Sequence, residues 1–159
     1  MIPKNRVFAF LSFLLFAGNL AAQENTVKWI SFEQLEDSLA LKPKKVFIDF
    51  YADWCAYCKK MDEAAFRDPE VVSRLNSAYY AVKMDAESRD TINFGGDYYV
   101  NEQLGKKRNP THEIPLLLAS RDNVPFSLPA IILLNEKFEI TARYFEYLSP
   151  KELRDALAE

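Results

Sequence analysis

The sequence predicts an α/β fold with a mixed central sheet flanked by helices, and three observations predict it. Short apolar runs alternate with amphipathic helical stretches from Val27 to Asp85. Val46 to Tyr51 is apolar on both faces except for Asp49, as a strand covered by helices on both sides must be. Two further strands and a last helix close the chain after an unusual middle segment, an order that fits a mixed sheet with helices on both faces.

Taken in order, Val27 to Ile30 reads as a short strand. Ser31 can cap the helix that follows and Gln34 can return the hydrogen bond, while Phe32, Leu35 and Leu39 share one helical face. Lys42-Pro43-Lys44-Lys45 stops that helix, because proline has no N–H to donate and lysines suit the negative helix end. A central strand, Val46 to Tyr51, comes next, and a helix from beyond Trp54 to about Ala65. Asp68 and Pro69 open or restart a helix as cap and first helical residue. Tyr79 to Asp85 is another strand.

The middle segment, about residues 86–127, begins with a hairpin over Ile92 to Val100 that turns on Gly95-Gly96. A polar loop, Lys106 to Pro110, leads to a short helix within Thr111 to Ser120, where Pro115 is tolerated in the first turn. Ala130 to Leu134 and Phe138 to Tyr144 are strands around the turn Asn135-Glu136-Lys137. Ser149-Pro150-Lys151-Glu152 is a full capping box, opening a helix that buries Leu153 and Leu157. His112, the sole histidine, falls at the start of a short helix, which gives it a capping or surface role rather than a catalytic one. The Tyr79-Tyr80 and Tyr98-Tyr99 pairs are expected to pack the sheet.

Met1 to Ala22 has the pattern of a cleaved export signal: Lys4 and Arg6, an apolar stretch from Val7 to Ala17, then Leu20-Ala21-Ala22. The stretch is shorter than the roughly 20 apolar residues a bilayer span needs, so no stable membrane insertion is expected after cleavage. Removing it leaves 137 of 159 residues, 23–159, as one domain. The loss takes two basic residues and no acidic one, moving the net charge from -3 to near -5. That balance argues against nucleic acid and against an anionic membrane surface as partners.

Cys55 and Cys58 are the two cysteines, and they lie one helical turn apart at a predicted strand-to-helix junction. At a helix start the partial positive charge favours a thiolate on Cys55, which can attack a substrate disulfide and leave Cys58 to resolve the mixed disulfide. A structural disulfide and a Cu(I) dithiolate are the other readings. Zinc is disfavoured because a structural site takes four ligands. Asp49, an acid inside an apolar strand six residues before Cys55, could exchange a proton with Cys58, and Lys83 on the neighbouring strand is its natural partner.

The block Val46-Phe47-Ile48-Asp49-Phe50-Tyr51-Ala52-Asp53-Trp54-Cys55, then Cys58-Lys59 and later Phe66-Arg67-Asp68-Pro69-Glu70-Val71, resembles the thioredoxin-like proteins of bacterial envelopes, above all the C-terminal domain of DsbD-type thiol:disulfide interchange proteins. The resemblance covers most of Val27 to Met84 and resumes from about Ser127. It implies a thioredoxin-like fold with an enlarged middle insertion, Cys55 as nucleophile, Cys58 as resolving thiol, and functional roles for Asp49 and Lys83. It also implies a cis-proline at Pro129, with the backbone at Leu128 pairing with a substrate chain like an added strand, and Trp54 in the rim around Cys55. Protein or peptide disulfides are then the substrates, an envelope dithiol protein the electron donor, and no bound cofactor is required. The protein would work in the periplasm or outside the cell, reducing or isomerising disulfides. A redox-inert binding module and a copper-handling thiol protein are the alternatives. Three departures from the family pattern stand out: a middle segment roughly twenty-five residues longer than a minimal thioredoxin needs, Glu146 where relatives usually carry glycine, and Ala56-Tyr57 between the cysteines.

Overall fold

A computed structural model describes residues 26–158, so the expected export signal lies outside the described residues. The elements are β1 (Trp29–Ile30), α1 (Phe32–Leu41), β2 (Lys45–Tyr51), α2 (Ala56–Glu63), a 3-10 turn (Ala65–Arg67), α3 (Pro69–Ala78) and β3 (Tyr79–Asp85), followed by β4 (Ile92–Phe94), β5 (Asp97–Tyr99), α4 (Glu113–Ala119), β6 (Ala130–Leu134), β7 (Ile140–Tyr144) and α5 (Pro150–Ala156). The main sheet has the order β1-β3-β2-β6-β7, with β4 and β5 as a separate hairpin. β2 is central, parallel to β3 and antiparallel to β6. It is therefore the strand most shielded from water, and its five inner residues are all buried.

The alternation of side chains along β2 divides the core in two. Phe47 packs with Met61 of α2, Val71, Val72 and Leu75 of α3, and Leu153 of α5 on one side of the sheet. Val46, Ile48 and Phe50 pack with Phe32 and Leu35 of α1 and Ile114 and Ala119 of α4 on the other. Asp49 shares the parity of Phe47 and so faces the α2 side.

Local chemistry fixes the helix starts. Both capping boxes form, Ser31 with Gln34 and Ser149 with Glu152. Asp68 accepts from the amides of Glu70 and Val71, with Pro69 at the first helical position. Gly95 and Gly96 take φ of +67° and +84° in the tight β4–β5 turn, where a side chain would be strained.

Three elements end earlier or begin later than the apolar pattern suggests. β1 is confined to Trp29–Ile30, because the Lys28 amide is bonded to Asn76 Oδ1 at the end of α3. α2 stops at Glu63 and tightens into the 3-10 turn, since the residue before Pro69 must be extended for α3 to begin. β7 starts at Ile140, because Asn135 Oδ1 accepts from the amides of Lys137 and Glu139 and Phe138 adopts φ of +62°. The tyrosine expectation holds for Tyr79, which is buried, but Tyr98 is 73% exposed. A two-stranded hairpin covers one face only, and Tyr98 lies on the other.

Candidate active site

β2 ends at Tyr51, and the Cys55 amide bonds back to the Ala52 carbonyl at 3.0 Å, turning the chain so that Cys55 becomes the N-cap of α2. The cysteine sulfur takes the place a serine or aspartate oxygen usually holds there, accepting from the Cys58 amide at 3.1 Å. Cys55 and Cys58 are joined as a disulfide with Cα atoms 5.3 Å apart. Both cysteines are buried, while Trp54 and Tyr57 beside them are each more than half exposed. The amide and the helix terminus favour negative charge on the Cys55 sulfur once the disulfide is reduced.

On the α2 side of the sheet, Asp49 stands directly opposite Lys83 in the parallel β2–β3 pair. Asp49 Oδ2 is 3.2 Å from Lys83 Nζ, and Oδ1 finds no hydrogen-bond donor in the protein. Burial pushes the Asp49 carboxyl up to about 6; Lys83 pulls the other way, and Asp62 adds to the rise. Lys83 also pairs with Asp62 of α2, and its ammonium lies about 5 Å from the rings of Tyr51, Trp29 and Phe66. An acid poised near neutrality, on the side of the sheet where the helix bearing the cysteines packs, can take a proton or return one under physiological conditions.

The Leu128-Pro129 bond is cis. Pro129 immediately precedes β6, whose Ala130 pairs with Phe50, so it lies at the same end of β2 from which the Cys55 loop departs. Arg121 braces the approach to it. Its guanidinium donates to Ser127 Oγ at 2.8 Å and stacks 3.9 Å from the centre of the Phe145 ring. Trp54 Nε1 donates to Glu87 Oε1 at 2.8 Å, and Tyr57 lies 6.2 Å from Tyr147, ring centre to ring centre.

The structure thus brings Trp54, Cys55, Cys58, Asp49, Lys83, Leu128 and Pro129 to one end of the sheet. Sequence reading missed Asp62, Glu87 and Arg121. Asp62 follows Cys58 by four residues, one turn along the same helix face, a spacing that could have pointed to it. Glu87 and Arg121 meet the site only through tertiary folding. His112 is not on the surface: it is fully buried, its Nδ1 accepts from the Ile114 amide to cap α4, and its Nε2 bonds to the Asp90 carbonyl at 3.2 Å. The capping expectation stands and the ring is structural.

The DsbD thiol:disulfide interchange protein of Vibrio vulnificus (strain YJ016) is 42% identical to the chain over 60 residues, covering 34% of this chain and 10% of the relative. The chain spans about a tenth of the length of the curated relatives it matches. Among solved structures it is similar to a DsbH oxidoreductase, with a TM-score of 0.55 at 17% identity over 84% of this chain and 85% of the other. It is also similar to the oxidised C-terminal domain of DsbD from Neisseria meningitidis, with a TM-score of 0.50 at 17% identity over 79% and 89% of the two chains. These likenesses show a thioredoxin-like fold, which with a Cys-X-X-Cys pair supports thiol-disulfide oxidoreduction in general terms. The family described as Thioredox_DsbH, "Protein of unknown function, DUF255", matches residues 16–123. That match covers more than half of the chain, which accordingly belongs to the thioredoxin-like Thioredox_DsbH family and is related to the DsbD proteins.

Proposed function

We propose that the chain reduces or isomerises protein disulfides in the cell envelope by dithiol-disulfide exchange through Cys55 and Cys58. The observation that carries this reading is the placement of the pair: Cys55 caps α2 and receives the Cys58 amide, while the central strand that leads into it carries the buried Asp49 carboxyl, with a pKa of about 6. In the reduced protein the Cys55 thiolate attacks one sulfur of a substrate disulfide, and the other substrate sulfur leaves as a thiolate that takes a proton from water. Cys58 then gives its proton to Asp49 and attacks the Cys55 sulfur, closing Cys55–Cys58 and releasing the second substrate sulfur as a thiolate that takes a proton from water, while Asp49 returns its proton to solvent. Two electrons pass to the substrate, and an envelope dithiol protein returns them.

Lys83 keeps the Asp49 carboxylate from being prohibitively costly when it forms. The backbone at Leu128, ahead of Pro129, receives the substrate chain as an added strand, with Trp54 as an apolar rim. The envelope setting rests on the signal-like Met1 to Ala22 segment and on kinship with DsbD proteins; among the described residues no helix is long and apolar enough to cross a membrane. The chemistry is complete with thiols and a carboxyl, so no cofactor is invoked.

Insulin reduction tests the proposal. With dithiothreitol present, wild-type protein should shorten the lag before the insulin B chain precipitates, and Cys55→Ser should leave the lag at that of dithiothreitol alone. A wild-type protein that changes nothing would overturn exchange and leave the thioredoxin-like surface as a binding module.

A further inference from the structure

A cavity of about 260 Å³ opens against Trp54, the residue before Cys55, and is lined besides by Phe126 and Leu128 of the cis-proline approach and by Glu87, Asn109 and Thr111 of the middle segment. It is smaller than the roughly 300–1,000 Å³ of sites for drug-sized ligands, and suits one amino-acid side chain. The wall made by the middle segment is tied down. The His112 amide bonds to the Ala86 carbonyl at 2.8 Å, and the Asn101 side-chain amide bridges the Ser88 and Pro110 carbonyls. Among the described residues, Glu87 is the one charged group lining the cavity. Its carboxylate spends one oxygen on Trp54 Nε1. The basic run Lys106 to Arg108 precedes Asn109 without lining the cavity, and the Arg121 guanidinium is held behind Ser127 against Phe145.

Resting on the exchange reading above, we infer that this cavity selects disulfide substrates carrying a lysine or arginine two residues from the attacked cysteine. On an extended substrate chain, side chains two apart point to the same face, so a chain that presents its cysteine to Cys55 also presents that neighbour to the protein, about 7 Å away. An aliphatic stem fits against Trp54, Phe126 and Leu128, its charged end meets the Glu87 carboxylate, and the half-exposed Trp54 indole adds attraction for a cation. A glutamate at the same position would face Glu87 without a counter-charge.

The test uses three short peptides whose single cysteine is held as a mixed disulfide with thionitrobenzoate, with lysine, norleucine or glutamate on both sides two residues from the cysteine. Release of thionitrobenzoate by the reduced full-length protein is timed, each rate being divided by that of 2-mercaptoethanol with the same peptide to remove intrinsic reactivity. The lysine peptide should react roughly 3- to 10-fold faster than the glutamate peptide, a ratio of the size half-exposed charge pairs supply. Glu87→Gln, which keeps an acceptor for Trp54, should bring that ratio near unity, and added salt should shrink it in the wild type. Equal rates for the lysine and glutamate peptides, or a ratio unchanged by Glu87→Gln, would overturn the inference while leaving exchange intact. Rates no higher than those of 2-mercaptoethanol with all three peptides would remove the exchange reading and this inference together.

Discussion

Cys58→Ser will stop the reaction at a covalent disulfide between Cys55 and the substrate, and turnover will fall to that of the chemical reductant alone. Burial does not tell the two sulfurs apart, since both cysteines are almost fully covered in the oxidised protein. The helix does. Cys55 is the cap residue, outside the first turn, and receives the Cys58 amide; Cys58 is inside the turn, and among the described residues no such donor is aimed at its sulfur. The first thiolate is therefore expected on Cys55, and without a thiol at position 58 the adduct would have no internal route to release. Non-reducing electrophoresis and intact-mass measurement should show the adduct on Cys58→Ser and none on Cys55→Ser. The opposite distribution would show that Cys58 attacks first, and the role assigned to the cap position would be wrong.

Asp49→Asn will slow resolution of that adduct and at the same time stabilise the protein above neutral pH. The rate effect is expected at about 10- to 100-fold, toward the lower end of what a positioned general base contributes, and the rise of wild-type resolution rate with pH through about 6 should disappear. The stability effect follows from linkage. The carboxyl titrates near 6 when folded, above its unfolded value of about 3.9, so the folded state holds the proton more tightly. Its contribution to stability is full below about pH 4 and is lost as pH rises through 6. Asparagine does not titrate and avoids that loss, so Asp49→Asn should exceed wild type by about 1–3 kcal/mol in urea denaturation at pH 8, with the difference fading toward pH 4. Lys83 retains Asp62 as a partner in the variant. A stability difference that does not vary with pH, together with unchanged resolution, would remove Asp49 from the proton path.

The parts of this fold that could be read in the sequence are those decided by neighbouring residues. Ser31 and Gln34, Asp68 and Pro69, and Ser149 and Glu152 each specify a helix start within four positions, and each start forms where expected. Gly95-Gly96 fixes the hairpin in the same way. β3 and β6 match their apolar runs residue for residue, because a buried strand has little freedom to shift register without exposing its side chains. What local pattern did not supply was set by tertiary contact. Asn76 claims the Lys28 amide and shortens β1, and His112 is buried by the loop around Asp90 although nothing near it in sequence is strongly apolar before Ile114.

The site divides along the same line. Asp49 and Lys83 could be paired from their strands alone, since an unsatisfied acid in an apolar run demands a partner and adjacent strands supply one. Trp54 and Cys55 are contiguous, and Pro129 follows from the family resemblance. Glu87 and Arg121 come from the middle segment, distant in sequence from both cysteines, and meet the site only because the sheet brings the ends of β2, β3 and β6 together. The sequence shows that this segment departs from the family pattern; its position against Trp54 and Leu128 comes from the fold.

The reduction potential of the Cys55–Cys58 pair, measured by equilibrating the full-length protein with dithiothreitol or glutathione buffers, bears most directly on the proposal that these cysteines pass electrons to disulfides. A reductant or isomerase should give a value between about -270 and -180 mV, the range spanned by thioredoxin and protein disulfide isomerase. A value below about -300 mV would mark a structural brace, and one near -120 mV an oxidant. Either would contradict the reducing or isomerising role.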